Sequence, residues 1–110
     1  MKFMIHGGIL SRTLQSISGV VPSGKALPIL LNYCCKLKEN DLVITVSDLE
    51  TTISVKLNLE TVDSNGLTEV AIPAKIFSEI VSSLSNQQLI IDIKEDYSIE
   101  IKADSGVYNL

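Results

Sequence analysis

One pattern of secondary-structure signals occurs twice in this chain: a short strand, one helix and three further strands, first in Met1–Glu60 and again from Gly66 onward. A supersecondary unit that is repeated predicts a symmetric scaffold rather than a fold built around one catalytic pocket. The chain has 110 residues, the size of one domain with a modest hydrophobic core. We therefore expect one domain that contains two internal repeats, residues 1–60 and 66–110.

The first repeat opens with apolar alternation over Lys2–Ile5, which predicts a strand. The apolar period then becomes helical, with polar side chains on the opposite face: Leu10, Leu14 and Ile17 against Arg12, Gln15 and Ser16. Gly19 is a natural stop for this helix. Three strands are expected to follow, over Leu27–Lys38, Leu42–Val46 and Thr51–Leu59.

The second repeat begins with a strand over Glu69–Ile72. Pro73 follows at the expected first helical position, where a missing N–H has no consequence. The predicted buried stripe of this helix consists of Ile76, Phe77, Ile80, Val81 and Leu84. Three strands complete the repeat, over Gln88–Lys94, Ser98–Lys102 and Gly106–Leu110. The pattern indicates an α+β fold in which two helices pack on antiparallel sheets.

The formal net charge of the chain is −4 and its pI is near 4.8. This acidity weighs against a simple, tight nucleic-acid binder, whose affinity comes from many cations that neutralise phosphates. It does not exclude contact with DNA, because the position of the few cations matters more than their total number.

The reactive side chains do not form a catalytic or metal-binding set. Cys34 and Cys35 are adjacent on a predicted strand and point to opposite faces, so they cannot easily share a disulfide or a metal, and we interpret them as small apolar residues. His6 is the single histidine, and a structural or surface role is expected for it. No nucleophile-elbow or phosphate-loop motif is present. We expect no enzymatic activity, no metal and no cofactor.

We expect the protein to be located in the cytoplasm. No apolar stretch is long enough to span a bilayer, and the N-terminus lacks the charged, apolar and small-residue segments of a secretory signal. We therefore expect no membrane partner.

Five short segments, in order and in register with the repeat, resemble the first domain of the bacterial DNA polymerase III beta subunit, the replicative sliding clamp. The resemblance covers essentially the whole chain, and its strength comes from the five segments together. They are Met1-Lys2-Phe3, Leu14-Gln15-Ser16-Ile17-Ser18-Gly19, Leu27-Pro28-Ile29-Leu30, Ser47-Asp48-Leu49-Glu50 and Ile72-Pro73-Ala74-Lys75.

The resemblance implies the DNA clamp fold and a ring. Family members have three such domains in each subunit, and two subunits close head to tail around duplex DNA, with helices lining the hole. The ring is a non-catalytic processivity factor that tethers the replicative polymerase, and a separate clamp loader opens it. Both of these partners are expected to bind through domains other than this one. Residues 1–110 would then be the first domain of a three-domain subunit.

Three cations are the DNA-facing candidates that the resemblance implies. Arg12 lies on the polar face of the first helix, and Lys75 occupies the basic position of the family's Pro-Ala-basic motif. Lys25 lies in the loop after the first helix, one position after Gly24, where the family often has a basic residue. Contacts of this kind with phosphates position DNA without reading its sequence. The alternative for each residue is an ordinary solvated cation.

The resemblance also places a subunit interface on the last strand. Tyr108 and Leu110 match the apolar positions that pack against the third domain of the other subunit, and their spacing puts them on one face of the strand. The alternative is that both belong to the core of this domain. A second function class also remains open, a stand-alone protein-interaction domain that recruits a partner strand at this edge without DNA.

Overall fold

The computed structural model describes residues 1–17, 32–47, 52–59, 61–63, 66 and 68–110. Two helices and nine strands occur in these residues. The first repeat contributes β1 (Lys2–His6), α1 (Gly7–Ile17), β2 (Asn32–Lys38), β3 (Asp41–Ser47) and β4 (Thr52–Asn58). A short strand, β5 (Thr61–Asp63), lies between the repeats, and the sequence did not predict it. The second repeat contributes β6 (Glu69–Pro73), α2 (Ala74–Ser83), β7 (Gln88–Ile93), β8 (Ile99–Ala103) and β9 (Gly106–Asn109).

The two repeats exchange their first strands. One sheet has the order β5-β1-β7-β8-β9, and the other has the order β4-β3-β2-β6; every pairing is antiparallel. β1 therefore pairs with β7 of the second repeat, and β6 pairs with β2 of the first. Because each sheet contains strands from both repeats, neither repeat can complete its sheet alone.

The inner faces of both sheets and one face of each helix form a single core. Strands β2 and β3 alternate strictly, so that Tyr33, Cys35 and Leu37 are buried together with Leu42, Ile44 and Val46. Buried Leu10, Leu14 and Ile17 of α1 and Phe77 and Val81 of α2 join the same cluster. α1 packs against β1, and α2 packs against β2 and β6, so the two helices cover strands from different sheets. The predicted fold class is confirmed.

The structure corrects two details of the second helix. Pro73 has φ −56° and ψ 120°, so it is the N-cap residue at the end of β6, and the helix begins one residue later at Ala74. Ile76, which the periodicity assigned to the buried stripe, is 48% exposed. Ala74, Phe77 and Val81 define the inward face of α2, and Ile76 lies outside this arc.

The cysteine prediction is corrected in part. Cys34 and Cys35 do lie on opposite faces and both are free thiols, but Cys34 is exposed and only Cys35 is an apolar core residue. Within the described ranges, no group of three or more His, Cys, Asp and Glu side chains could hold a metal ion. None of the helices in those ranges is long and apolar enough to cross a bilayer.

Candidate nucleic-acid interface and subunit edge

The helix α1 presents Arg12 on its exposed face. Leu10, Ser11 and Leu14 are buried, so the intervening Arg12 points away from the core. Its Nε donates a hydrogen bond to the Gly8 carbonyl oxygen one turn earlier, at 3.3 Å. Arg12 is in neither of the ion pairs found among the described residues, which are Lys56–Asp41 and Lys102–Glu100. Its charge is therefore available to an external anion.

Lys75 lies in the first turn of α2 and is exposed. A cation at a helix N-terminus opposes the helix macrodipole, and no acidic residue accompanies it in that turn. Lys75 is likewise absent from the ion pairs of the described residues. Lys75 therefore does not stabilise its own helix, and its charge faces solvent.

The two helices pack against each other in antiparallel orientation. The Ser11 Oγ and Ser82 Oγ atoms are 3.3 Å apart and share a hydrogen bond. One turn earlier in α1, a β-carbon added at Gly8 would lie 2.8 Å from the carbonyl oxygen of Ser85, which follows α2. Contacts that move backward along α2 as they move forward along α1 define the orientation. Because the two helices lie side by side, we call their exposed surface, which includes Arg12 and Lys75, the helix face.

The helix face differs in charge from the rest of the chain. α1 and α2 together contain Arg12, Lys75 and one carboxylate, Glu79, which gives a net charge of +1. The whole chain has a net charge of −4, so the remaining residues carry −5. The few cations of the helices are therefore set in an otherwise acidic protein. Lys25, the third predicted contact, lies outside the described residues.

A hydrogen bond from the sheet fixes the rotation of α2. Tyr33 of β2 is almost fully buried, and its hydroxyl lies 2.7 Å from Ser78 Oγ, one turn after Lys75. The Tyr33 ring also meets Phe77 edge to face, with centroids 6.5 Å apart. No role was predicted from the sequence for Tyr33 or for Ser78, which is half-buried. A tyrosine in a strand that is otherwise apolar on one face was the available signal, because a buried hydroxyl needs a partner.

The N-terminus of α1 is capped by a side chain, unlike that of α2, where Pro73 forms no side-chain capping bond. His6 Nδ1 accepts a hydrogen bond from the Gly8 N–H at 3.0 Å. This contact satisfies one of the free N–H groups at the start of the helix. His6 thus has a structural role, one of the two roles expected for it.

The last strand, β9, forms one edge of the five-stranded sheet. Tyr108 lies opposite buried Ile101, and Leu110 exchanges backbone hydrogen bonds with Ile99, at 2.9 and 3.5 Å. Both side chains are half-buried and pack against the core, whereas Val107 on the other face is 56% exposed. Tyr108 and Leu110 therefore share a face, as predicted, and no strand among the described residues pairs with the outer side of β9.

An equivalent edge exists on the other sheet. β4 is one of the two outer strands there, and its Ile53, Val55 and Leu57 are half-buried and packed against the core. Val55 lies opposite buried Ile44 of the adjacent strand, as Tyr108 lies opposite buried Ile101. The edges at β9 and β4 are thus alike, one on each sheet, and of these two only the edge at β9 was predicted from the sequence.

Comparison with known proteins gives a consistent result. The family model of the DNA polymerase III beta subunit, N-terminal domain, matches residues 1–110. The chain is 31% identical over 110 residues to the beta sliding clamp of Vibrio cholerae serotype O1, covering 100% of this chain and 30% of that protein. It is 35% identical over 111 residues to the beta sliding clamp of Pseudomonas putida, covering 100% of this chain and 29% of the relative.

Solved structures agree with these sequence matches. The DNA polymerase III subunit beta from Pseudomonas aeruginosa superposes with a TM-score of 0.88 at 28% identity, covering 100% of this chain and 29% of that one. The Caulobacter crescentus pol III beta has the same fold, with a TM-score of 0.85 at 24% identity over 100% of this chain and 30% of that one. The chain spans about three tenths of the length of these relatives.

Proposed function

This chain belongs to the DNA polymerase III beta subunit family, whose N-terminal domain it matches throughout, and we propose that it serves as one domain of a sliding clamp. In this proposal residues 1–110 are the first of three domains in each subunit. Two subunits close head to tail around duplex DNA and tether the replicative polymerase during processive synthesis. The proposed role is mechanical and requires no cofactor and no catalytic residue.

The position of Lys75 carries the DNA part of the proposal. An exposed cation at a helix N-terminus, with no ion pair among the described residues, weakens the helix and needs another reason to be there. Arg12 adds a second available cation on the same helix face. A surface with few cations holds phosphates weakly and without reading sequence, and the acidic remainder of the chain repels DNA. This is what a ring that slides along DNA requires. Lys25 is proposed as a third contact.

The proposal that the subunits form a ring rests on the sheet edges at β4 and β9. β9 and β4 are each an edge strand in the sheets formed by the described residues, and edge strands can extend both sheets into neighbours, as a closed ring of like domains demands. We assign the β9 edge, with Tyr108 and Leu110, to the seam with the other subunit. The polymerase and the clamp loader are proposed to bind outside this domain, and the replication role implies the cytoplasm.

The first experiment tests encirclement with the intact native subunit. Clamps loaded onto a nicked circular plasmid should stay bound at moderate salt and should leave when the plasmid is cut once, because a ring slides off a free end. Retention on linear DNA without end blocks would contradict a topological link.

A second experiment tests the helix face. The variant R12E/K75E should lower the direct affinity of the ring for DNA and reduce the salt dependence of log K by about 0.9 for each phosphate that the variant no longer neutralises. The matched control is K36E/K38E, which reverses two exposed cations on the outer face of β2 and changes the net charge by the same amount. An equal decrease in the control would show that net charge rather than the helix face governs binding.

The mass of the native protein separates the clamp from the stand-alone interaction domain. An antibody against residues 1–110 should detect a product about three times as long, since the relatives are that much longer. A native product of about 110 residues would leave no ring and would favour the interaction domain.

A further inference from the structure

The loop that follows α2 contacts the start of α1. The Gln87 N–H donates to the Leu84 carbonyl oxygen at 3.1 Å, and the Gln87 carbonyl oxygen accepts from the Gly7 N–H at 2.8 Å. A β-carbon at Gly7 would overlap the Leu84 carbonyl oxygen and would lie 3.0 Å from that of Gln87. The backbone of Gln87 is therefore fixed between the ends of the two helices.

The side chain of Gln87 extends from this fixed backbone to the turn between β8 and β9. Its Oε1 accepts a hydrogen bond from the Ser105 N–H at 3.0 Å, and its Nε2 donates to Ser105 Oγ at 3.3 Å. One amide side chain thus holds both a backbone and a side-chain group of the same turn residue. Such a two-point contact restrains the turn in orientation as well as position.

The contact continues to the edge strand. Ser105 Oγ lies 3.4 Å from the Tyr108 hydroxyl, at the long end of hydrogen-bond distances. Tyr108 is half-buried on the edge strand β9. A continuous polar path therefore runs from the helix ends, through Gln87 and Ser105, to the tyrosine at the sheet edge.

We propose that Gln87 is a positioning residue for the subunit interface at β9. It fixes the β8–β9 turn and the Tyr108 ring relative to the helices, and so determines the geometry of the edge that the other subunit contacts. The inference rests on the proposed function, because it assigns the β9 edge to contact between subunits. It goes further by naming a residue that lies outside the edge and controls its geometry. An edge strand that is fixed before association loses less conformational freedom when the partner binds.

The test measures exchange between differently labelled dimers of the intact native subunit at 25 °C. Q87A removes both hydrogen bonds with Ser105 but keeps the backbone bonds that hold the helices, so the domain should fold. We expect subunit exchange about three- to tenfold faster than in the wild type, the range expected for exposed hydrogen bonds. Q87E keeps an acceptor for the Ser105 N–H and should restore most of the wild-type rate. The control Q88A truncates the next, exposed glutamine and should leave the rate unchanged.

A double-mutant cycle with Y108F separates positioning from general stability. If Gln87 acts through Tyr108, Q87A should have a smaller effect in the Y108F background than in the wild type. Equal effects in both backgrounds, or exchange by Q87A at the wild-type rate, would overturn the inference while leaving the clamp intact. A wild-type subunit that does not self-associate at all would overturn the proposed function and the inference with it.

Discussion

The two repeats bury the same positions but differ in their polar positions. Residues of β1 and α1 correspond to those of β6 and α2 at a spacing of 67, as in the pairs Leu10 and Phe77 or Leu14 and Val81, all buried. Even an exposed apolar residue is matched, since Ile9 is 46% exposed and Ile76 is 48% exposed. Burial is thus a property of the shared architecture.

The polar differences include charged side chains of the helices and the residues that precede them. Lys75 stands where α1 has Gly8, and Glu79 stands where α1 has Arg12. The cap residue is His6 in one repeat and Pro73, which has no side-chain capping bond, in the other. The internal symmetry therefore preserves packing, whereas charge and capping vary independently between the two copies.

The largest loss of stability should come from core substitutions, which compare how much each helix contributes to the free energy of unfolding. F77A should lower the free energy of unfolding by about 4 kcal/mol and L10A by about 3 kcal/mol, because each removes a fully buried side chain. Urea unfolding measures both. The exposed counterparts I9A and I76A are the matched controls and should cost less than about 1 kcal/mol. A decrease below about 1 kcal/mol for either core variant would mean that its helix is not part of the cooperative unit.

The second prediction tests the close approach between the start of α1 and the end of α2. G7A should cost about 3 kcal/mol, because the new β-carbon would overlap the Leu84 carbonyl oxygen. The symmetry-related A74G should cost about 1 kcal/mol, the usual effect of glycine within a helix. Denaturation curves of the two variants compare them directly. Equal destabilisation would contradict the difference in packing between the two helix starts.

The third prediction concerns the bond from sheet to helix, which occurs in the four-stranded sheet. Y33F removes the hydroxyl partner of Ser78 and should cost about 1 kcal/mol in urea unfolding. In the five-stranded sheet, Leu89 occupies the corresponding place on its strand and is already apolar, so its side chain cannot form an equivalent bond. S78A in the Y33F background should add almost nothing. Full additivity would show that the two side chains act separately.

The smallest expected effect is a difference in thiol reactivity between Cys34 and Cys35, which lie on the two faces of β2. Burial raises the pKa of Cys35 to about 12 from an ordinary value of 9.0, and burial together with the bond to Glu69 raises the pKa of exposed Cys34. Since the pKa of Cys35 is raised by folding, its contribution to stability is complete below pH 9 and is lost as pH rises toward 12. Iodoacetamide at about pH 8 should therefore modify Cys34 slowly and leave Cys35 intact in the folded protein. Both cysteines lie in one tryptic peptide, residues 26–36, so fragmentation of that peptide by tandem mass spectrometry is needed to locate the label. Rapid labelling of Cys35 would contradict its burial.

Most of the elements and their order follow from the sequence. The helical period of Leu10, Leu14 and Ile17 and the alternation along the strands depend only on side-chain direction, which local geometry dictates. The charge of the helix segments could also be read directly, which allowed Arg12 and Lys75 to be named. Short strands such as β5 and exact helix starts produced no such signal, because a few residues do not establish a period.

Which elements meet depends on the tertiary structure. The exchange of β1 and β6 between repeats, the second edge at β4 and the bonds of Tyr33 and Gln87 join residues far apart in the chain. Local periodicity contains no information about such pairings, since they follow from how the whole chain buries its apolar faces while satisfying its polar groups.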